Sequence, residues 1–191
     1  FDIIFKNQTY ENFVFKMPGS YNLLNAAGSI LACLINGITV ESIKNGLKSY
    51  LGVKRRFDIQ LSLPKLIYID DYAHHPKEID SLLSAVKSFY PQKFVVGVFQ
   101  PHLFSRTRDF MDYFAESLSG FDEIFLLPIY PAREAPIEGI DSSVLMQKIK
   151  NTNKRLINSV DELFNFLNRE IDMVLLTIGA GDIDKWPEQI K

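Results

Sequence analysis

The segment LIYIDDYAHHPKEIDSLLSAVKSF, residues 66–89, runs from a short apolar stretch through a polar loop into a helical pattern. Residues 66–69 are consecutively apolar, which is typical of a strand buried on both faces. Across residues 77–89 apolar side chains recur at the spacing of an amphipathic helix. A strand, loop and helix in this order predict an α/β fold built on a parallel sheet.

The same alternation continues to the end of the chain. Because strands that alternate with helices are joined by right-handed crossovers, the sheet is expected to be mainly parallel. The predicted strands are 94–99, 124–127 and 173–178, with a weaker one at 155–159, and the predicted helices are 109–118, 142–149 and 160–168. Residues 57–191 are therefore predicted to form a Rossmann-like, open, mainly parallel sheet with helices on both faces.

Residues 1–56 have a different texture and predict a small α+β segment. Residues 1–17 alternate roughly between apolar and polar side chains and predict a β-hairpin. Two helices follow: a buried one that ends at Asn36, and a shorter one that begins after Thr39. The basic stretch GVKRRFD, residues 52–58, marks the change of pattern, so the domain boundary is placed between residues 56 and 57.

Composition narrows the class of protein. With 47% hydrophobic residues, the 191-residue chain can bury a core, and its net charge of -2 gives no basic field for nucleic acid or an anionic membrane. The most apolar run, residues 23–35, is too short to span a bilayer. The single cysteine, Cys33, favours the cytoplasm. The chain opens on a strand pattern without an initiator methionine, which suggests a piece of a longer protein.

In open α/β sheets ligands bind outside the carboxyl ends of the strands. The segments that follow four predicted strands are DDYAHHP (70–76), QPHLFSRTR (100–108), PIYPAREAPIEG (128–139) and GAGD (179–182). All three histidines of the chain, His74, His75 and His102, lie in the first two of these segments. This edge of the sheet is therefore the expected pocket rim.

DDYAHHP admits more than one interpretation. A metal site is one, since imidazole and carboxylate are common ligands. Adjacent residues of an extended segment point to opposite sides, however, so His74 and His75 are poorly placed to share one ion, and no metal site is predicted. His75 or a neighbour can instead cap the helix that begins near Pro76. Asp71 can accept hydrogen bonds from ribose hydroxyls or be an exposed loop acid.

Two arginines follow the second strand of the domain. Either can grip a carboxylate or a phosphate through its guanidinium group, or pair with a local acid such as Asp109 or Asp112. Alternation lets only one face the pocket comfortably, and Arg106 is favoured over Arg108. No GxxxxGK[ST] segment exists in the chain, so no ATP triphosphate cradle is predicted within it.

Six motifs together resemble, in order and spacing, the C-terminal part of the Mur ligase family. They are PGSYNLLNA (18–26), GVKRRF (52–57), DDYAHHP, FQPHLFSRTRDF (99–110), YPAREAPIEG (130–139) and GAGDI (179–183). The resemblance covers nearly the whole chain and implies an enzyme of peptidoglycan synthesis with three domains. Residues 1–56 would then end the central ATP-binding domain, and 57–191 would form the C-terminal Rossmann-like domain.

The resemblance is greatest to family members that join L-alanine to UDP-N-acetylmuramate. In these enzymes ATP phosphorylates the muramate carboxylate, and the amino group of L-alanine attacks the acyl phosphate. The resemblance implies ATP and Mg²⁺ in the full-length enzyme, with the missing N-terminal and central domains as partners. The fragment by itself is expected to be inactive and to hold no cofactor tightly.

The resemblance also implies roles for single residues. Those expected at ATP are Asn22, Asn25, Arg56, Asp71 and Tyr72, and those expected at the incoming amino acid are His74, His102 and Arg106, of which His74 and Arg106 are the catalytic candidates. Leu103 stands where many relatives have a basic residue. Asp70 and His75 receive no role.

Three other functions compete with this interpretation. The first is the muropeptide-recycling ligase of the same family, which joins a tripeptide to the same sugar nucleotide. The second is a free-standing α/β module that binds a nucleotide or an amino acid without chemistry. The third is a metal-dependent hydrolase that uses DDYAHHP.

Overall fold

The structure is a computed structural model that describes residues 1–167 and 170–190. Its contacts divide the chain into two compact units, Phe1–Val53 and Lys54–Lys191. The division falls three residues before the boundary expected between residues 56 and 57, so the basic stretch 54–56 belongs with the second unit. The predicted helix at 160–168 ends on Asn168, which lies outside the described residues.

The first unit is a hairpin with two helices, as predicted. Strands β1 (Ile3–Phe5) and β2 (Gln8–Tyr10) pair antiparallel, and the helices are α1 (Ser20–Ile35) and α2 (Val40–Ser49). The two turn residues between the strands, Lys6 and Asn7, both have positive φ angles, of 50° and 60°, which fit a tight hairpin turn.

The core of this unit joins the hairpin region to both helices. Ile3 and Phe13 pack there against Ile30 of α1 and Ile43 of α2. The prediction of a buried α1 is wrong, because only Ala26 and Ile30 of this helix are buried, while Leu24 and Ile35 are 73% and 66% exposed.

Among the residues that the structure describes, the second unit forms a six-stranded sheet. Its strands are β3 (Asp58–Ser62), β4 (Leu66–Asp71), β5 (Phe94–Phe99), β6 (Glu123–Leu126), β7 (Lys154–Leu156) and β8 (Met173–Ile178). They lie in the order β3-β4-β8-β5-β6-β7, and every pair is parallel except β3 with β4.

Helices cover both faces of this sheet. They are α3 (Pro76–Phe89), α4 (Phe104–Asp109), α5 (Met111–Leu118), α6 (Ser142–Lys148), α7 (Val160–Leu167) and α8 (Pro187–Ile190). On one face Phe99 of β5 packs against Phe114 of α5, with ring centroids 5.5 Å apart. Its neighbour Val98 belongs to a core cluster with Leu163 of α7. Because adjacent strand residues point to opposite faces, α5 and α7 cover different faces of the sheet. The predicted Rossmann-like architecture is therefore confirmed.

Strand β3 and the short helices α4 and α8 of this unit were not predicted. Strand β3 is an antiparallel edge strand whose burial alternates, so it lacks the continuous apolar run of the central strands. The helix expected at 109–118 is α5, and the separate helix α4 precedes it, so that the two meet at Phe110. The polar segment that carries Arg106 is therefore itself helical.

The position of β8 decides where a site can form. This last strand of the chain lies between β4 and β5, and it pairs with both. The carboxyl ends of β4, β8 and β5 are consequently neighbours, which brings together loops that are about thirty to one hundred residues apart in sequence.

Gly97→Ala should destabilise the second unit. A Cβ at Gly97 would lie 2.7 Å from Cδ1 of Ile124 and 2.8 Å from the ring of Phe121, in a core that cannot easily yield. We expect a loss of about 1–3 kcal/mol in the free energy of unfolding, measured by denaturant titration.

The matched control is Gly120→Ala. Its added Cβ meets the Cδ2 atom of Leu83 at 2.8 Å, the far end of a flexible side chain, and the loss should be smaller. Equal losses for the two variants would contradict the packing argument.

Candidate functional site

Polar loops gather at the carboxyl ends of β4, β8 and β5, as the sequence predicts. The first acid there, Asp70, is buried and serves the fold. Its Oδ2 lies 2.9 Å from Nε of Arg55, and its Oδ1 accepts a hydrogen bond of 2.7 Å from the hydroxyl of Thr177. Arg55 also donates to the carbonyl oxygen of Gly179 at 2.5 Å. Burial raises the pKa of Asp70, which Arg55 and Thr177 oppose.

Arg55 is a residue that sequence reasoning missed. It ties the start of the second unit to β4 and to the loop after β8, through partners that are 15 and 124 residues away. No local pattern marks it among the three basic residues 54–56. The sequence assigns no role to Asp70. Its pairing with Arg55 becomes visible only in the folded structure.

Asp71 faces the opposite way and holds backbone amides. Its carboxylate accepts from the N–H groups of Phe57 and Ala73 at 2.7 and 2.8 Å, and the residue is only 4% exposed. Burial raises the pKa of Asp71 to about 6. The carboxylate thereby fixes Phe57, and with it the adjacent Arg56, to the end of β4.

Tyr72 stands between the basic stretch and the histidines. The guanidinium carbons of Arg55 and Arg56 lie 5.2 and 5.8 Å from the centroid of its ring, at cation–π distance. The ring of His74 meets it edge-on with centroids 5.2 Å apart. Arg56 and Tyr72, both expected at ATP, are therefore neighbours on an exposed surface.

The two adjacent histidines diverge, as strand geometry suggests. His75 is the N-cap of α3, and the Glu78 carboxylate accepts from the N–H groups of His74 and His75 at 2.8 and 3.1 Å. The ring of His75 packs against Phe110, whereas that of His74 lies 6.4 Å from the ring of His102. His75 thus has a structural role, whereas Nδ1 of His74 lies 3.0 Å from the carbonyl oxygen of Tyr72 and 3.5 Å from Oε2 of Glu78.

His102, on the loop after β5, contacts Arg106 of α4. Nη1 of Arg106 lies 3.4 Å from Nδ1 of His102. Because a guanidinium only donates, this Nδ1 is the acceptor and the imidazole is neutral. Burial, followed by the charge of Arg106, lowers the pKa of His102. Its ring stacks on Tyr130, with centroids 5.7 Å apart.

The two arginines of α4 separate as expected. Arg108 is exposed and pairs with Asp109 at 2.8 Å. Among the residues that the structure describes, no carboxylate oxygen lies within 4.0 Å of the Arg106 guanidinium. Arg106 can therefore offer its charge to an anionic ligand.

The glycines of GAGD serve packing rather than ligand approach. Gly179 has a φ of 146°, and a Cβ there would lie 2.7 Å from the carbonyl oxygen of Gln100. A Cβ at Gly181 would overlap Oε1 of Gln100 and lie 2.7 Å from Cβ of Tyr130. Glycine is required because the loops after β8 and β5 touch here.

The two asparagines expected at ATP lie in the first unit, on α1. The side-chain amide of Asn22 donates to the carbonyl oxygen of Pro18 at 2.6 Å, while Asn25, one turn further, is exposed. Within the described residues no group of three or more His, Cys, Asp or Glu side chains could hold a metal ion. None of the described helices is long and apolar enough to cross a membrane.

Comparison with known proteins adds an independent finding. A family model described as "Mur ligase, glutamate ligase domain" matches residues 55–181. A UDP-N-acetylmuramate–L-alanine ligase of Flavobacterium psychrophilum is 49% identical over 191 residues, which is all of this chain and 42% of that protein. One from Cytophaga hutchinsonii is 50% identical over 182 residues, 95% of this chain and 39% of that protein.

A solved structure agrees with these relatives. The UDP-N-acetylmuramate-alanine ligase MurC of Thermotoga maritima superimposes with a TM-score of 0.75 and 27% identity, over 94% of this chain and 39% of that one. The chain thus spans about two fifths of the length of the proteins it matches.

The buried Asp71 should give stability an unusual dependence on pH. Its pKa of about 6 lies above the ordinary 3.8, so the folded state binds the proton more tightly than the unfolded chain does. The contribution of protonated Asp71 to the free energy of unfolding is therefore fully present at low pH and is lost as the pH rises through about 6. Relative to Asp71→Asn, the wild type should lose about 2 kcal/mol from about pH 4 to about pH 7.

The measurement is denaturant unfolding of both proteins across this pH range. Asparagine keeps one acceptor for the two amides, which adds an offset that does not vary with pH. The control is Asp80→Asn, the same charge change at an exposed position on α3. A difference between wild type and Asp71→Asn that stays flat with pH would refute the argument.

Proposed function

The chain belongs to the Mur ligase family, and we propose that it is the C-terminal part of an ATP-dependent ligase that joins L-alanine to UDP-N-acetylmuramate. Two observations support this. Relatives with that activity in their names are about half identical along essentially the whole chain. At the carboxyl ends of the strands, Arg106 also lies beside His102, whose ring faces that of His74, and this group is a suitable receptor for an amino-acid carboxylate.

The reaction requires an activated carboxylate, because a carboxylate itself is a poor electrophile. Its oxygen attacks the γ-phosphorus of ATP, ADP leaves, and an acyl phosphate forms. The neutral amino group of L-alanine then attacks the carbonyl carbon. Phosphate departs, the nitrogen loses a proton, and an amide remains. The protein contributes mainly by holding the reactants together and stabilising their charges.

The amino-acid site comprises His74, His102 and Arg106. Arg106 holds the carboxylate of L-alanine by charge-assisted hydrogen bonds, and its lack of an acidic partner among the described residues carries this assignment. The neutral His102 accepts a hydrogen bond from the guanidinium group of Arg106 and thereby orients it. His74, across from it, faces the amino group, and with Arg106 it forms the catalytic pair of this proposal.

The residues proposed for ATP in the second unit are Arg56, Asp71 and Tyr72, and those proposed in the first unit are Asn22 and Asn25. Arg56 contacts phosphate, and Asp71 fixes Phe57 beside it. The lone pairs of Asp71 that the two amides leave unused are the acceptors for the ribose hydroxyls. The asparagines meet the adenine side. Mg²⁺, the phosphate loop and the UDP-sugar site belong to the preceding domains of the parent protein, which acts in the cytoplasm.

The test is an assay of the full-length parent for ADP release. Release should require both L-alanine and UDP-N-acetylmuramate, and the isolated chain should show none. Activity with a tripeptide in place of L-alanine would favour the muropeptide-recycling ligase. Binding of either ligand without ADP release would favour the binding module.

Arg106→Ala in the full-length enzyme should raise the KM for L-alanine at least about ten-fold, because a charge-assisted hydrogen bond to the carboxylate is lost. The KM for ATP should stay within about two-fold. The control is Arg108→Ala, which removes the same charge from an exposed arginine paired with Asp109. Equal rises of both KM values, or an effect of the control as large, would show that Arg106 is misplaced.

A further inference from the structure

A carboxylate from a different loop holds the start of the helix that carries Arg106. Glu134 accepts from the backbone N–H of Ser105 at 2.9 Å and from its hydroxyl at 2.5 Å. Ser105 immediately precedes Arg106 on α4. The hydrogen bonds from Ser105 hold the pKa of Glu134 below its ordinary range, so Glu134 is charged when it makes them.

The helix needs this contact because its own N-cap cannot supply one. The N-cap residue is Leu103, which has no side-chain oxygen and adopts a φ of 72°, in the left-handed region. The first N–H groups of a helix lack partners within it. Glu134 lies 29 residues further along the chain than Ser105 and provides the missing acceptor in place of a local cap.

The loop of Glu134 is itself tied to the loop of His102. The N–H of Leu103 donates to the carbonyl oxygen of Tyr130 at 3.0 Å, and the N–H of Tyr130 donates to that of Pro101 at 2.8 Å. The N–H of Glu134 closes a turn onto the carbonyl oxygen of Pro131 at 2.9 Å. Glu134 therefore approaches α4 from a short turn whose start, at Tyr130, is tied to the loop of His102.

We infer that Glu134 is a positioning residue that caps α4 from outside and thereby holds the guanidinium of Arg106 where the substrate carboxylate binds. It acts through Ser105 and touches no reacting atom. The inference rests on the proposed function for its kinetic consequence, but the cap itself does not. Ser105→Ala should have a smaller effect than Glu134→Ala, because the backbone N–H remains to be capped.

The kinetic test uses the full-length enzyme with Glu134→Ala and Glu134→Gln. Glu134→Ala should raise the KM for L-alanine about ten-fold, with the KM for ATP and kcat within about two-fold. Glu134→Gln keeps an oxygen acceptor and should recover part of the loss. The matched control is Glu138→Gln, an exposed glutamate of the same loop, which should behave like the wild type.

A second readout does not depend on catalysis. The groups facing His102 are Arg106 and His74, which lower its pKa, and Glu134, which raises it. In NMR titration of the full-length protein, with the resonance assigned by His102→Gln, Glu134→Gln should shift the titration of His102 to lower pH. Glu138→Gln should leave it unchanged.

The outcomes separate the two proposals. If the wild type shows no L-alanine-dependent activity, the proposed function fails, while the His102 titration still reports whether Glu134 faces this cluster. If the wild type is active and Glu134→Ala leaves the KM for L-alanine unchanged, the positioning role fails. Equal rises in both KM values would also overturn it, since they would indicate general damage to the fold.

Discussion

Two adjacent buried carboxylates at the end of β4 organise the ligand edge of the sheet. Asp70 and Asp71 point to opposite sides, and each removes a negative charge from water, which is costly unless the charge is paired or hydrogen-bonded. Arg55 and Thr177 satisfy Asp70, and two backbone amides satisfy Asp71. Breaking a buried pair of this kind typically costs about 3–5 kcal/mol. The loops around this acid pair therefore have little freedom to rearrange.

The residues at this edge differ in how much of each side chain the fold already uses. Asp70, Arg55 and His75 have partners within the fold, and each carboxylate oxygen of Asp71 accepts one backbone amide. Tyr72 and His74 follow directly after this acid pair, and Arg106 lies on α4. This edge of the sheet thus presents a few polar side chains whose orientation is set by the buried contacts of neighbouring residues. Such fixed orientation is what the positioning of two substrates requires.

Much of the fold was predictable because hydrophobic periodicity is a local property. The central strands are recognisable in the sequence as continuous apolar runs; they are β4, β5, β6 and β8. Strand β3 was missed because it lies at the edge of the sheet and lacks a continuous apolar run. Helix α4 was missed because its short polar sequence carries no apolar stripe. The site was predictable in composition, since the histidines and Arg106 follow strand ends. The roles of Arg55 and Glu134 were not predictable from the sequence, because their partners lie 124 and 29 residues away along the chain.

The sequence by itself determined the α/β class, the location of the polar loops at strand ends, and the motifs that mark the family. These depend on neighbours in the chain and on the two-residue and 3.6-residue periods of strand and helix. Only the tertiary structure decided that β8 lies between β4 and β5, that Arg55 neutralises Asp70, and that Glu134 caps the helix of Arg106. These arrangements depend on contacts between segments that are far apart in the chain. No local pattern of residues records which distant segment will make each contact.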